Sequence, residues 1–385
     1  MSIFKKSLQL HYKCCGKIEI KSKVPLKNKN DLSLAYTPGV AEVCRQIARD
    51  NKLVYKYTSK NNLVAVVTDG SAVLGLGNIG AKASLPVMEG KAILFKELGG
   101  VDAFPIAIDS QDVDIIVDTV KRISPVFGGI NLEDISAPRC FEIERRLIKE
   151  LDIPVFHDDQ HGTAIVVLAG LINALKIVRK KFSQVRIVIN GAGAAGIAVT
   201  KLLLAYGFKN IIILDTTGII YEGRKNGMNW AKDEIAKVTN LEKTKGDLSI
   251  AIKNEDIFIG LSAGNVLTVK MVKSMAKDAI IFAMANPIPE IMPDKAIAGG
   301  AVIIATGRSD FANQVNNVLA FPGIFRGLLD ARISKVTEEM KIAVAKTIAG
   351  YVKKPNEKMI LPNPLDRNLP KKIALAIRKS ASKKV

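Results

Sequence analysis

Short apolar segments that end in Asp or Gly alternate with longer segments of helical character along most of the chain. The segments LVAVVTDG, VDAFPIAID and IPVFHDD are separated by stretches such as LPVMEGKAILFKEL and SAPRCFEIERRLIKEL. Strands that alternate with helices build a parallel sheet covered by helices. The pattern therefore predicts an α/β fold, and ligands of such sheets bind beyond the carboxyl ends of the strands, where these acidic residues fall.

A glycine-rich turn, G-A-G-A-A-G, directly follows the predicted strand VRIVIN and opens the apolar segment IAVTKLLLAYG. Its glycines permit a tight turn and a close approach of the backbone to a pyrophosphate, and the helix N-terminus favours the phosphate charge. The turn therefore predicts a Rossmann-type dinucleotide site formed by Gly191, Gly193, Ala194, Ala195 and Gly196.

The next predicted strand, IIILD, ends in Asp215. A carboxylate at this position can accept hydrogen bonds from the ribose hydroxyls of adenosine and would repel a 2′-phosphate. The sequence thus favours NAD over NADP, although Arg224 and Lys225 stand close enough along the chain to serve a phosphate.

A second match to the glycine pattern, Gly75–Gly80, stands in a different context. An intervening turn separates it from the preceding strand, and no acid ends a following strand at the right distance. We expect this copy to shape a loop.

The length of 385 residues fits two α/β domains better than one. We expect a catalytic N-terminal α/β domain with a parallel sheet over residues 1–161. The apolar segment after His161 is then a buried connector to a Rossmann-type NAD-binding domain with a helical tail, over residues 162–385.

Two acidic pairs lie at the predicted strand ends: Glu133–Asp134 in a loop after GGIN, and Asp158–Asp159 after IPVF. If the strands are neighbours, the pairs converge on one hard cation, for which carboxylate oxygens suit Mg²⁺ or Mn²⁺. Zinc bound by His157 and His161 is the alternative, since their spacing is that of two imidazoles on one helical face. This segment is predicted to be a strand-to-helix turn, so we favour hydrogen bonding within the turn.

Composition limits the other classes of function. The net charge is +19, but the cations are mostly Lys, scattered except at 379–384 and without interleaved aromatic residues, so a solvated surface is favoured over a nucleic-acid-binding protein. The four cysteines show no paired spacing, which favours a reducing compartment. No signal peptide or membrane span is recognised, and a cytoplasmic location is expected.

Eight motifs in order resemble those of the malic enzyme family, and the similarity runs from about residue 16 to about residue 330. They are AYTPGVA, VTDG with GLGNIG, MEGKA, NLED, FHDDQHGTA, NGAGAAG, ANP and NNVLAFPG. The length is similar to that of the compact bacterial form. The resemblance implies oxidative decarboxylation of L-malate to pyruvate with reduction of NAD. Malolactic decarboxylation to lactate is the alternative.

The resemblance also implies roles for single residues. Lys91 would be the general base, Tyr36 the general acid and Asp158 a nearby active-site carboxylate. The metal ligands would be Glu133, Asp134 and Asp159, and the substrate contacts Asn286 and Asn317, of which Asn286 also borders the cofactor.

Ser71–Ala72 departs from larger members of the family, which carry there an Arg that holds the substrate carboxylate. Lys91, Arg308 or a residue of a partner subunit could replace it. We further expect Lys91 to be partly neutral in a desolvated cleft with cationic neighbours, whereas nearby carboxylates would favour its charged form. A homodimer is expected, because the basic N-terminal arm looks too polar to pack alone and family members associate.

Overall fold

The predicted alternation of strands and helices is confirmed. The structure, a computed structural model, describes residues 2–381, so part of the basic cluster at 379–384 lies outside the described residues. Ten strands form two sheets: β1 (Leu63–Thr68), β2 (Asp102–Ala107), β3 (Gly129–Leu132), β4 (Val155–His157), β5 (Arg186–Asn190), β6 (Asn210–Asp215), β7 (Gly218–Ile219), β8 (Ile257–Gly260), β9 (Ala279–Ala283) and β10 (Ala301–Thr306).

The first sheet has the order β2-β1-β3-β4 and is parallel throughout. Leu132, the last residue of β3, pairs with His157, the last residue of β4. The two acidic pairs therefore emerge side by side at one edge. Strand β3 covers most of the GGIN segment, has only four residues and is fully buried. Glu133–Asp134 follow it, as the sequence predicts.

The second sheet has the order β10-β9-β8-β5-β6-β7. Its strands are parallel except for the short edge strand β7, which folds back antiparallel on β6. The register pairs Asn190 with Leu214, so the glycine turn after β5 and Asp215 at the end of β6 are neighbours. This is the expected Rossmann-type arrangement.

Sixteen α-helices lie in residues 2–381, and most of the longer ones connect the strands. They are α1 (Ile3–Cys14), α2 (Lys29–Ala35), α3 (Val40–Arg49), α4 (Val54–Tyr57), α5 (Gly80–Gly99), α6 (Val113–Ile123), α7 (Arg139–Glu150), α8 (Asp158–Val178), α9 (Ala194–Tyr206), α10 (Trp230–Ala236), α11 (Leu248–Ala251), α12 (Val269–Lys273), α13 (Pro293–Ala298), α14 (Phe321–Ala331), α15 (Glu338–Tyr351) and α16 (Leu369–Ala381).

Helix α8 is the expected buried connector. It begins at the end of β4 and packs against α9 and α15. It is the one helix in the described chain that is long and apolar enough to cross a membrane, yet 67% of its most apolar window is buried inside the protein. Its apolar surface is therefore accounted for by the core, which includes residues of both sheets.

The N-terminal arm, residues 2–59, contains no buried residue. Phe4 is 80% exposed and Leu8 74% exposed, and further apolar side chains of α1 and α2 are also open to solvent. The arm is therefore not simply polar, as the sequence reading held. It carries apolar surface that nothing else in residues 2–381 covers.

Asn173 of α8 ties the C-terminal helices to the core. Its buried side-chain amide donates to the carbonyl oxygens of Ala349 and Ile360, both at 2.9 Å. We expect Asn173→Ala to lower the free energy of unfolding by about 2 kcal/mol, because buried acceptors lose their donor. Denaturant unfolding followed by the fluorescence of Trp230 measures this. Asn210→Ala, at the exposed start of β6, is the matched control and should stay near the wild type.

Candidate active site

Carboxylates from two neighbouring strand ends meet at the edge of the first sheet. Glu133 and Asp134 follow β3, and Asp159 lies in the first turn of α8, directly after β4. One carboxylate oxygen from each of the three lies within 4.8 Å of the others. The convergence expected from the sequence is thus present. Asp158 is fully buried beside them.

The acidic cluster, Glu133, Asp134, Asp158 and Asp159, holds more negative charge than its surroundings compensate. Burial raises the pKa of Glu133, and burial together with Asp159 raises the pKa of Asp134 to about 7. Asp134 Oδ2 and Asp158 Oδ1 are buried and accept no hydrogen bond within the described chain. Asp134 belongs to the group of three whose oxygens lie close enough to share one ligand, and a buried carboxylate oxygen without a donor in such a group fits a hard divalent cation.

Lys91 reaches the cluster from α5. Its Nζ lies 2.8 Å from Glu133 Oε1 and 2.6 Å from Asp158 Oδ2, and its side chain is only 7% exposed. Burial alone would lower the pKa of Lys91, but Asp158 and Glu133 outweigh it, so the pKa is raised. The expectation of a partly neutral amine among cationic neighbours is therefore wrong for this arrangement: the neighbours are carboxylates.

Gly162, one turn into α8, makes room for Asp158. A Cβ atom at Gly162 would lie 2.0 Å from Asp158 Oδ1 and 3.0 Å from Cβ of Asn317. The absence of a side chain therefore lets the carboxylate of Asp158 turn toward Lys91. The short distance from Gly162 to Asn317 also shows that Asn317, at the start of a short 3₁₀ helix, borders the acidic cluster.

Asn286 lies in the loop after β9, where a Cβ atom at Gly75 would come within 3.1 Å of its carbonyl oxygen. Residues 75–79 lie in the loop between β1 and α5, which has a bridge between Val73 and Gly77, and Gly80 begins α5. The second glycine match thus shapes a loop, as expected. Arg308 also reaches this loop, donating to the carbonyl oxygen of Pro287 at 3.0 Å while pairing with Asp310.

The two histidines do not form a metal site with each other. In residues 2–381, the one group of three or more possible ligands consists of carboxylates only. His157 Nδ1 lies 2.9 Å from Gln160 Nε2, within the turn as expected. His161 instead reaches out of the turn to Glu144 on α7.

The glycine turn after β5 requires its glycines. Gly191 has φ 124°, and a Cβ atom there would lie 2.4 Å from the carbonyl oxygen of Leu261. A Cβ atom at Gly196 would lie 1.8 Å from the carbonyl oxygen of Gly191, whereas one at Gly193 would meet nothing within 4 Å. The turn is therefore closely packed on the protein side and open at Gly193. Ala194 and Ala195 begin α9 there.

Asp215 lies beside this turn but is not a free acceptor. Both of its oxygens are bonded to the guanidinium of Arg224, and Lys232 Nζ lies 2.6 Å from Oδ2. Burial raises the pKa of Asp215, but these hydrogen bonds outweigh it and bring it to about 2. Two cations therefore compensate its charge, which the sequence reading did not foresee. A cavity of about 660 Å³ adjoins it, lined among others by Thr216, Thr217, Arg224, Lys225 and Lys245.

Tyr36 stands apart from these groups. It terminates α2 in the arm and is 67% exposed. Within the described residues its hydroxyl makes no hydrogen bond to Lys91 or to the acidic cluster. One chain by itself therefore does not place this phenol beside the amine.

Three further side chains border the site and were not singled out from the sequence. Phe321, inside the NNVLAFPG motif, lies under Lys91 with Nζ 4.3 Å from the ring centroid. Arg139 pairs with Asp69, directly before Gly70 and Ser71. Glu144 is buried and bonded to the start of α8. Motif spacing could have indicated Phe321, but no local signal marks Glu144, because its partners are distant in sequence.

Comparisons with known proteins match this geometry. The family "Malic enzyme, N-terminal domain" matches residues 15–148, and "Malic enzyme, NAD binding domain" matches residues 160–382. The chain is 59% identical over 383 residues to the bifunctional malic/malolactic enzyme of Bacillus subtilis (strain 168), covering 99% of this chain and 93% of that one.

The chain is also 56% identical to the NAD-dependent malic enzyme of Geobacillus stearothermophilus, covering 95% of this chain and 77% of the relative. Among solved structures, a malic enzyme from Pyrococcus horikoshii Ot3 superposes with a TM-score of 0.94 at 48% identity, covering 100% of this chain and 91% of that one.

The contact at Gly162 can be tested directly. Gly162→Ala should push the carboxylate of Asp158 away from Lys91, and disrupting this buried ion pair should lower the free energy of unfolding by about 3 kcal/mol. Gly350→Ala is the control, since a Cβ atom there meets nothing within 4 Å in helix α15, and it should stabilise by about 0.5–1 kcal/mol. A crystal structure of Gly162→Ala with Lys91 Nζ still 2.6 Å from Asp158 would contradict the reasoning.

Proposed function

The chain belongs to the malic enzyme family, and we propose that it oxidises L-malate and releases carbon dioxide to leave pyruvate, with a nicotinamide cofactor as hydride acceptor. The observation that carries the proposal is the acidic cluster beside Lys91. The reaction needs a group that moves the hydroxyl proton and a site for a cation. Lys91 and the carboxylates, which could serve as these two, lie together at the carboxyl ends of β3 and β4.

We propose Glu133, Asp134 and Asp159 as the ligands of Mg²⁺ or Mn²⁺. A cation held there would supply Lewis acidity toward the hydroxyl and carboxylate oxygens of malate. The buried, donor-free oxygens described above support this assignment. Asn286 and Asn317 are the proposed contacts of the substrate, and Arg308, beside the Asn286 loop, is a candidate for holding a malate carboxylate.

Lys91 is the proposed general base, acting together with Asp158. Asp158 fixes the amine at 2.6 Å and disperses the positive charge that the amine carries after taking a proton. Glu133 contacts both Lys91 and the other carboxylates. When the charge of Glu133 is compensated by another cation, it stabilises the protonated form of Lys91 less, and Lys91 loses its proton more easily. The raised pKa of Lys91 describes the arrangement in which both carboxylates are free to pair with it.

Tyr36 is the proposed general acid that protonates the enolate carbon. Its exposed position in the arm supports a homodimer, in which the arm packs against a second chain and its apolar residues become covered. The phenol would then reach Lys91 only in the assembly. A gel-filtration profile and activity at high dilution test this proposal together.

For the cofactor we propose a preference for NAD, with NADP also bound. Gly191, Gly193, Ala194, Ala195 and Gly196 would cradle the pyrophosphate. Asp215 would meet the ribose, but its pairing with Arg224 and Lys232 weakens the repulsion of a 2′-phosphate.

The catalytic part would extend to about residue 161 and the cofactor-binding part from residue 162, although α8 continues across that point. We propose a cytoplasmic protein that binds neither nucleic acid nor membranes. Malolactic decarboxylation is the second candidate activity, because a relative is named for both reactions.

We expect absorbance at 340 nm to rise when the protein is mixed with L-malate, NAD and Mn²⁺, with one pyruvate formed per NADH. Asp159→Asn should lose at least about 100-fold in kcat, because it removes a charged ligand oxygen from the cation site. Asp118→Asn, an exposed carboxylate on α6, is the control and should remain active. Accumulation of lactate without NADH would support the malolactic activity instead, and full turnover by Asp159→Asn would remove the proposed metal site.

Arg224→Ala should weaken NADP binding about tenfold more than NAD binding, because it leaves the carboxylate of Asp215 less compensated beside the 2′-phosphate. Fluorescence titrations with NADPH and NADH measure the two dissociation constants. Arg122→Ala, which breaks a surface ion pair on α6, should leave both unchanged. Equal weakening for the two cofactors would show that Arg224 does not discriminate between them.

A further inference from the structure

A buried carboxylate outside the acidic cluster, Glu144 of α7, is bonded to the start of α8. Its Oε1 accepts from the backbone N–H of His157 at 2.9 Å, and its Oε2 accepts from Gln160 Nε2 at 3.0 Å. The ring nitrogen His161 Nε2 lies 2.9 Å and 3.0 Å from the two oxygens. Glu144 thus satisfies donors of three residues, one before and two after the pair Asp158–Asp159, without a hydrogen bond to either of that pair.

The other ring nitrogen of His161 is held from the C-terminal helices. Lys341 of α15 lies with Nζ 3.0 Å from His161 Nδ1, and it is itself buried and paired with Glu338 at 2.7 Å. An ammonium group can only donate, so Nδ1 accepts and the ring proton resides on Nε2, facing Glu144. Lys341 therefore selects the tautomer that lets His161 donate to the carboxylate.

The same turn extends to a carboxylate of the cluster. Gln160 Nε2 donates to Glu144 and lies 2.9 Å from His157 Nδ1, so that nitrogen accepts as well. The proton of His157 then resides on Nε2, which lies 3.0 Å from Asp159 Oδ2. The backbone N–H of Asp134 donates to the same oxygen at 2.7 Å. A series of buried polar contacts thus runs from Lys341 to His157, whose Nε2 lies within ion-pair distance of the partly exposed Asp159 without forming a hydrogen bond.

Burying the carboxylate of Glu144 is unfavourable unless hydrogen-bond donors compensate its charge, as His161 and the other donors around it do. The acidic side chains repel one another, and the first turn of a helix frays easily because its N–H groups lack partners within the helix. A fixed acceptor at that turn opposes both the fraying of the helix and the displacement of the acidic side chains. It does so because it holds the backbone of His157 and the side chains on either side of Asp158 and Asp159.

We propose that Glu144, His161 and Lys341 form a positioning network that holds the carboxylates of Asp158 and Asp159 in the arrangement that binds the divalent cation. This inference rests on the proposed function, because it assumes a cation at the acidic cluster. It adds that the affinity for the cation is set in part by α15, a helix of the C-terminal part of the chain that carries none of the proposed ligands.

Measuring the affinities for Mn²⁺ and for NADH in variants of the network distinguishes a positioning role from a merely structural one, because only a structural defect should weaken both. Outer-shell partners of metal ligands typically change metal affinity about 10- to 100-fold when they are removed. We therefore expect Glu144→Gln to raise the dissociation constant for Mn²⁺ by about 10- to 100-fold, measured by electron paramagnetic resonance of free Mn²⁺. The dissociation constant for NADH, measured by fluorescence, should change less than about twofold.

Lys341 provides a second variant in case Glu144→Gln does not fold. Lys341→Met keeps the length of the side chain but removes the donor, so His161 loses its tautomer selection, and Mn²⁺ affinity should fall about tenfold. Lys341→Arg retains a donor and should restore most of the affinity. Glu142→Gln, an exposed neighbour on α7, is the matched control and should bind Mn²⁺ as the wild type does.

Two results would overturn the network. One is unchanged Mn²⁺ affinity in folded Glu144→Gln and Lys341→Met; the other is parallel loss of Mn²⁺ and NADH affinity, which a general loosening of the fold would produce. Failure of the proposed function looks different, because the wild-type protein itself would then bind no Mn²⁺ at the acidic cluster, and Asp159→Asn would bind the same amount as the wild type.

Discussion

The site depends on placing four carboxylates, three of them buried and that of Asp159 partly exposed, close to one lysine. Glu133, Asp134, Asp158 and Asp159 bring four potential negative charges, and Lys91 offers one positive charge between two of them. Burial disfavours the charged form of Glu133 and Asp134, and repulsion from the neighbouring carboxylates adds to it, so the pKa of both groups is raised. The acidic cluster therefore carries an excess of negative charge, and additional positive charge there would be stabilising.

Three features of the backbone hold the carboxylates against this repulsion. Parallel pairing of β3 with β4 brings the two acidic strand ends side by side, with Leu132 opposite His157. Gly162 leaves the space into which Asp158 turns. The N–H of Asp134 donates to Asp159, so one acidic residue steadies another through its backbone. Each feature acts on orientation rather than on charge, and together they keep the oxygens facing one point.

Sequence patterns correctly predicted those features that depend on residues close together in the chain. The strands, the glycine turn and the ends where acids fall follow from hydrophobic periodicity and from glycines that no other residue could replace, such as Gly191. Strand β3 carries little periodicity of its own, because it has only four residues and begins with a glycine. Its burial comes from the strands on both sides of it, β1 and β4.

The errors about charge have a different origin. Lys91 was expected among cations and lies between carboxylates, while Asp215 was expected to be free and lies between Arg224 and Lys232. A pKa depends on groups within a few ångströms, and those groups come from other elements of the fold. Glu144 shows the same limit, since its partners lie on α8 and, through His161, on α15. Sequence spacing carries no signal for such pairs.

The two halves of the proposed reaction centre are linked by packing between two helices. Helix α8 begins at Asp158 and α9 begins at Ala194 within the glycine turn, and each follows directly on a strand of a different sheet. The two helices pack against each other with buried side chains of α8 along most of its length. Closely packed interiors transmit displacement rather than absorb it. The separation of the acidic cluster from the cofactor turn is therefore fixed by this contact, and a shift of α8 would alter the acidic cluster and the cofactor turn together.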